Sequence, residues 1–142
     1  MIVKKSKPPR TQRHFANSWS ELDYLCNKIR YWLYGRGQRN RAERYLDRLQ
    51  RVLRSLPENE SAILRQEGLA LLYELKGKLS EAIAHRKREI QLMERLHGEA
   101  QSPEYAESTR AYMLRDRDAD VLVQRRALLE ALKNAKGQLQ AS

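Results

Sequence analysis

Three histidines, one cysteine and a run of alternating carboxylates are the residues of this chain best suited to chemistry, and their spacing limits what they can do. His85 and His97 sit on one predicted helix, separated by about 18 Å along its axis, too far to share a metal. His14 stands apart from both, and no His-x-x-x-His pair occurs. Zinc sites need several Cys or His ligands at close spacing. Cys26 is the only cysteine, so no internal disulfide can form. Without a ligand pattern around it, Cys26 reads as a small core hydrophobe on a helix. The run "DRDAD" (Asp116 to Asp120) has the acidity of a metal loop but lacks the glycine and distal glutamate of an EF-hand. A helix-capping turn is the better reading. "YGRGQRN" (Tyr34 to Asn40) has two glycines, but it follows a helix and lacks the P-loop lysine. The expectation is a protein with no enzymatic activity, no metal, no cofactor and no small-molecule ligand.

Anion binding is the chemistry the sequence does support. The net charge is +10, and residues 1–56 hold 14 Lys/Arg against four Asp/Glu, whereas residues 57–142 hold 14 of each. The whole excess therefore lies in the first part, and such asymmetry points to an anionic partner there. Arg36, Arg39, Arg41, Arg44, Arg48 and Arg51 crowd the segment "GRGQRNRAERYLDRLQR". Guanidinium forks bind phosphate or carboxylate through paired hydrogen bonds. Lys4, Lys5, Lys7, Arg10 and Arg13 flank Pro8-Pro9 in a basic arm. Tyr31, Trp32 and Tyr34 adjoin the arginines and are candidate stacking residues for unpaired bases. The plainer alternative is that the aromatics are core and the arginines a solvated face, with Glu43 and Asp47 as partners.

These residues need elements to position them, and the periodicity predicts an all-α chain of about six helices with no strand. Residues 1–17 read as an extended arm, because Pro-Pro disfavours helix, and alone in water it is expected to be disordered. A helical domain spans 18–137 in three hairpins, about 18–56, 61–97 and 102–136, with a fraying tail at 138–142. "SWSE" predicts a capping box with Ser18 as N-cap and Glu21 reaching back. Leu22, Leu25, Cys26, Ile29 and Leu33 succeed it at helical spacing. The second helix opens near Asn40 and the third after Ser61. Gly77 closes the third, Ser80 opens the fourth and Gly98 closes it. Ser102 and Pro103 open the fifth. Asp118 or Asp120 caps a last helix, unless one helix runs through the charged interruption.

Gly37 and Gly77 are 40 residues apart, and each is followed five residues on by an alanine, Ala42 and Ala82. A small residue there lets the second helix of a hairpin lie close to the first. The segment from Asn59 to Ala106 resembles a tetratricopeptide repeat of the longer variety, about 42 residues, found in kinesin light chains. Ala62, "LALLY" (Leu69 to Tyr73), Gly77-Lys78, Glu81-Ala82, "LHG" (Leu96 to Gly98) and "SPEYA" (Ser102 to Ala106) carry the resemblance. Arg86 departs from it, standing where that family usually has an aromatic. The resemblance implies a short α-solenoid that acts as an adaptor or scaffold for other macromolecules.

Two functions are expected from these features. The first is a tetratricopeptide-like interaction module, a subunit of a larger complex, that docks a protein partner with acidic residues. The alternative is an accessory protein that binds the RNA or DNA backbone. No run approaches the length of a membrane span, and the basic start has no apolar stretch of the secretory type. The expected setting is cytoplasmic.

Overall fold

The computed structural model describes residues 15, 17–59 and 61–141. Among them every regular element is helical and no strand is present. The basic arm, apart from Phe15 and Asn17, lies outside the described residues. The chain divides into two compact units, residues 1–57 and 58–142.

In the first unit, α1 (Ser18–Arg30) runs into a single π-helical turn (Tyr31–Gly35), and then come α2 (Arg39–Glu43) and α3 (Leu46–Ser55). Asn17 is the N-cap, one residue before the expected Ser18, and its side chain accepts from the Ser20 N–H at 2.9 Å. That shift takes Glu21 out of the capping-box position and frees it to reach Arg48 on α3. The single second helix expected from Asn40 is two. The Arg44 and Tyr45 N–H groups donate to carbonyls three residues back, Arg41 and Ala42, and the tightened turn divides α2 from α3. Leu22, Leu25, Cys26 and Ile29 of α1, with Ala42, Leu49, Val52, Leu53 and Leu56, are buried and form this unit's apolar interior. Ser18 meets Ser55 and Glu21 meets Arg48, so α1 and α3 run antiparallel.

The second unit holds α4 (Ile63–Leu75), α5 (Leu79–Ala100), α6 (Glu107–Met113) and α7 (Ala119–Ala141). Gly77 takes φ 75°, the Gly77 N–H donates to Glu74 O, and the Lys78 N–H donates to Tyr73 O. This is a Schellman motif, which requires a left-handed residue at that position. It reverses the chain so that α5 packs antiparallel along α4. Gly98 and Gly137 keep negative φ, so neither ends its helix: α5 continues to Ala100 and α7 to Ala141. The tail expected to fray from 138 is therefore helical as far as Ala141. Ser102 to Tyr105 form a turn rather than a first helical turn, and α6 starts at Glu107. The charged interruption does separate two helices. Asp118 caps α7, its Oδ1 accepting from the Val121 N–H at 3.0 Å.

Both α6 and α7 pack on α5. Ala82, Ile83, Ile90 and Met93 of α5 form a core with Leu122, Leu129 and Leu132 of α7, edged by Ile63, Tyr73, Leu79 and Val121. Ala82 is fully buried in this seam. Ala82→Arg should cost about 3 to 5 kcal/mol in chemical denaturation, because it places an unpaired charge between packed helices. Ala82→Gly should cost only about 1 kcal/mol. Equal stabilities for wild type and the arginine variant would show that α5 is packed in a different phase.

Candidate functional site

The arginines of the first unit fall into two groups, set by the phase of α3. Leu49, Val52 and Leu53 face inward, and Arg48, adjacent to Leu49, is carried in with them. Its Nη2 donates to Glu21 Oε1 at 2.8 Å, and its guanidinium lies 5.9 Å from the Phe15 ring centre. Arg48 is thus a structural ion-pair partner and not, as the sequence suggested, part of a docking surface. Arg39 is exposed but paired with Glu43 one turn on, at 3.0 Å, a contact worth a few tenths of a kcal/mol.

Arg36, Arg41, Arg44 and Arg51 are exposed. None of them forms an ion pair among the described residues. Arg54, also exposed, joins Asp47, Gln50 and Arg51 around an open depression of about 430 Å³ on the outer side of α3. Lys4, Lys5, Lys7, Arg10 and Arg13 lie outside the described residues.

The aromatic candidates gather at the end of α1. Tyr31 is half exposed and meets Trp32 edge to face, with ring centres 4.9 Å apart. The Arg41 guanidinium lies 4.7 Å from the Trp32 ring centre. The Arg36 N–H donates to Tyr31 O at 2.9 Å and the Gln38 N–H to Trp32 O at 2.7 Å, with Gly37 at φ 63° between them. These bonds clamp the glycine loop onto the π turn and bring Arg41 over Trp32. Tyr34 is half-buried and is not part of this exposed corner.

A second constellation, in the other unit, is not apparent from local sequence. Glu67 on α4, Arg86 and Glu89 on α5, and Arg125 on α7 are all buried. Arg125 Nε and Nη2 donate to Glu67 Oε2 at 2.8 and 2.7 Å, and Nε also reaches Glu89 Oε2 at 3.1 Å. Arg86 Nη1 donates to Glu89 Oε1 at 2.6 Å and lies 4.0 Å from Glu67 Oε2. Gln124 adds an acceptor for Arg125 Nη1. Beside the cluster, His85 donates through Nδ1 to Gln66 Oε1 at 2.8 Å and stacks on Tyr73 with rings 8° from parallel. His97 donates through Nε2 to the Arg117 carbonyl and so fixes the α6–α7 loop against α5.

Two carboxylates and two guanidinium groups leave the cluster neutral when all are ionised. Burial pushes the Glu89 carboxyl up from 4.5 to about 7, against the pull of Arg86, with Glu67 adding to the rise and Arg125 opposing it. The signal for this cluster lay in the apolar stripes themselves. Leu64, Glu67, Leu71 and Leu75, then Ile83, Arg86, Ile90 and Met93, then Leu122, Arg125, Leu129 and Leu132, share three helical faces. The α4 and α7 faces each carry one charge among apolar residues, and the buried face of α5 carries Glu89 beside Arg86. Among the described residues no group of three or more His, Cys, Asp or Glu side chains converges as a metal site would require.

None of the protein-family models, curated proteins or solved structures compared with the chain matches it. The functional reading therefore rests on the residues themselves.

The cluster makes two predictions. Arg125→Met should cost about 3 to 5 kcal/mol, because it removes a buried charge partner that Glu67 and Glu89 share. A loss below about 1 kcal/mol in urea titration would mean that Glu67 and Glu89 reach solvent. Glu89 also links stability to pH. Between pH 4.5 and about 7 the folded state holds a proton that the unfolded chain has released, so this group's contribution falls as pH rises. The difference in unfolding free energy between wild type and Glu89→Gln should shift by roughly 3 kcal/mol against the wild type across that window. Parallel curves would show that Glu89 does not titrate there.

Proposed function

We propose that this protein is a non-enzymatic helical interaction module that docks an anionic macromolecule through its N-terminal unit, as an adaptor or scaffold subunit. One observation carries the reading. Arg36, Arg41, Arg44 and Arg51 are exposed without a carboxylate partner among the described residues, while buried Arg48, Arg86 and Arg125 are each paired. Unpaired surface guanidinium groups on a unit with an excess of basic residues create a positive field that steers and holds polyanions. Within the second unit, the antiparallel α4–α5 hairpin, its Gly77 turn and the buried Ala82 favour a tetratricopeptide-like scaffold. No helix among the described residues is long and apolar enough to cross a membrane, which agrees with a partner met in water. A cytoplasmic setting is part of the same proposal.

Binding of the full chain to heparin, polyglutamate and mixed-sequence nucleic acid, titrated with salt, tests this. At least one polyanion should bind, with affinity falling by about tenfold or more between about 0.05 and 0.2 M salt. The quadruple variant Arg36→Gln/Arg41→Gln/Arg44→Gln/Arg51→Gln should lose most of it while keeping the wild-type melting temperature. Absence of binding at low salt, or full binding by the variant, would sink the proposal.

A further inference from the structure

Resting on the anion-docking reading above, we infer that the corner formed by the π turn and α2 is a binding site for single-stranded nucleic acid, with Tyr31 as a base-stacking ring and Arg36 and Arg41 as phosphate contacts.

Three observations separate this partner from other polyanions. The first is the π turn itself. Single π-helical turns are rare and occur often at functional sites, because they interrupt the i→i−4 pattern and re-aim side chains. Here the turn spans Tyr31–Gly35 and sets an exposed Tyr31 beside a half-buried Trp32 at the edge of the basic segment. The second is exposure: Tyr31 is 49% exposed, although a phenol ring of this size gains from burial. A base stacked on such a ring gains about 1 to 3 kcal/mol, and every base has a face to offer.

The third is the posture of Arg41. Its guanidinium carbon lies over Trp32, 4.7 Å from the ring centre. A guanidinium held over a ring by cation–π attraction has five N–H donors, and no ion pair among the described residues engages those of Arg41. Those donors match phosphate oxygens. Arg36 is held beside the same rings by its backbone bond to Tyr31 O. An acidic peptide would use the arginines but has no need of the exposed ring. A duplex would use the arginines too, but its bases are already stacked and offer the ring nothing. Only an unpaired strand uses both parts of the corner.

Fluorescence anisotropy with the full-length protein tests this, using a labelled single-stranded oligonucleotide, the duplex of the same sequence and a labelled polyglutamate of similar charge. The single strand should bind about tenfold tighter than the duplex or the peptide. Tyr31→Ala should weaken single-strand binding by about tenfold and leave duplex binding unchanged, while Tyr31→Phe stays within about twofold of wild type. Arg36→Gln and Arg41→Gln should each reduce the slope of log affinity against log salt by about 0.7. Tyr31 is exposed, so these effects should come without loss of helicity by circular dichroism. If polyglutamate or duplex binds as tightly as the single strand, or if Tyr31→Ala is silent, this inference is overturned and the anion-docking reading stands. If none of the three probes binds at low salt, both fall together.

Discussion

Arg125 bridges two buried carboxylates that belong to different helices. Glu67 belongs to α4 and Glu89 to α5, and the guanidinium of α7 reaches both, at 2.7 to 3.1 Å. Each of these charges costs several kcal/mol to remove from water, and that cost is recovered only when partners meet in good geometry. Apolar contacts between α5 and α7 stabilise the pair but are not directional. A leucine seam alone tolerates a helix sliding by a turn. The guanidinium fork does not, because a slide of one turn carries Arg125 away from Glu67 and Glu89. The cluster thus supplies register to the second unit, and its apolar core supplies most of the stability. The raised Glu89 carboxyl shows the cost of burial outweighing the bonds that its two oxygens accept from Arg86 and Arg125.

The helices were legible in the sequence because their apolar residues repeat at the helical period, and Gly77 and Asp118 mark a stop and a start for local reasons. The misreadings have physical causes as well. Ser18 and Asn17 are both good N-caps, and nothing local decides between neighbours. Gly98 and Gly137 stop a helix only when φ becomes positive, which depends on the packing of the residues beyond them, and both remain helical. The buried cluster is hidden because Glu and Arg are almost never buried unless paired, and pairing across 36 to 58 residues of sequence is invisible to a local window. Arg86 stands out in the sequence only as a departure from the repeat pattern. In the structure it is fully buried, with a guanidinium that answers Glu89.

Arginine serves two opposed purposes in this chain, and helix phase decides between them. Arg48 and Arg51 are three residues apart on α3, yet one is buried against Glu21 and the other is exposed. Composition counts both toward the basic excess. Among the described arginines of the first unit, Arg48 is turned inward and Arg51 outward, so the exposed charge there is smaller than the composition suggests and more localised. That localisation favours recognition over non-specific attraction, because fewer charges must be placed well to hold a ligand.

The π turn connects this charge to the fold. Had α1 continued with regular spacing past Arg30, Tyr31 and Trp32 would have kept the ordinary 3.6-residue phase. The turn delays that phase, and the bonds from Arg36 and Gln38 back to Tyr31 and Trp32 then fix the reversed chain close against the rings. Gly37 makes the reversal at φ 63°, a conformation that a side chain resists. Arg41 can therefore lie on Trp32 without disturbing buried Ala42, the next residue, which holds α2 to the unit's core. A left-handed glycine, a backbone clamp and one small buried residue together present a cation and an aromatic ring on the same corner, which hydrophobic patterning alone would not do.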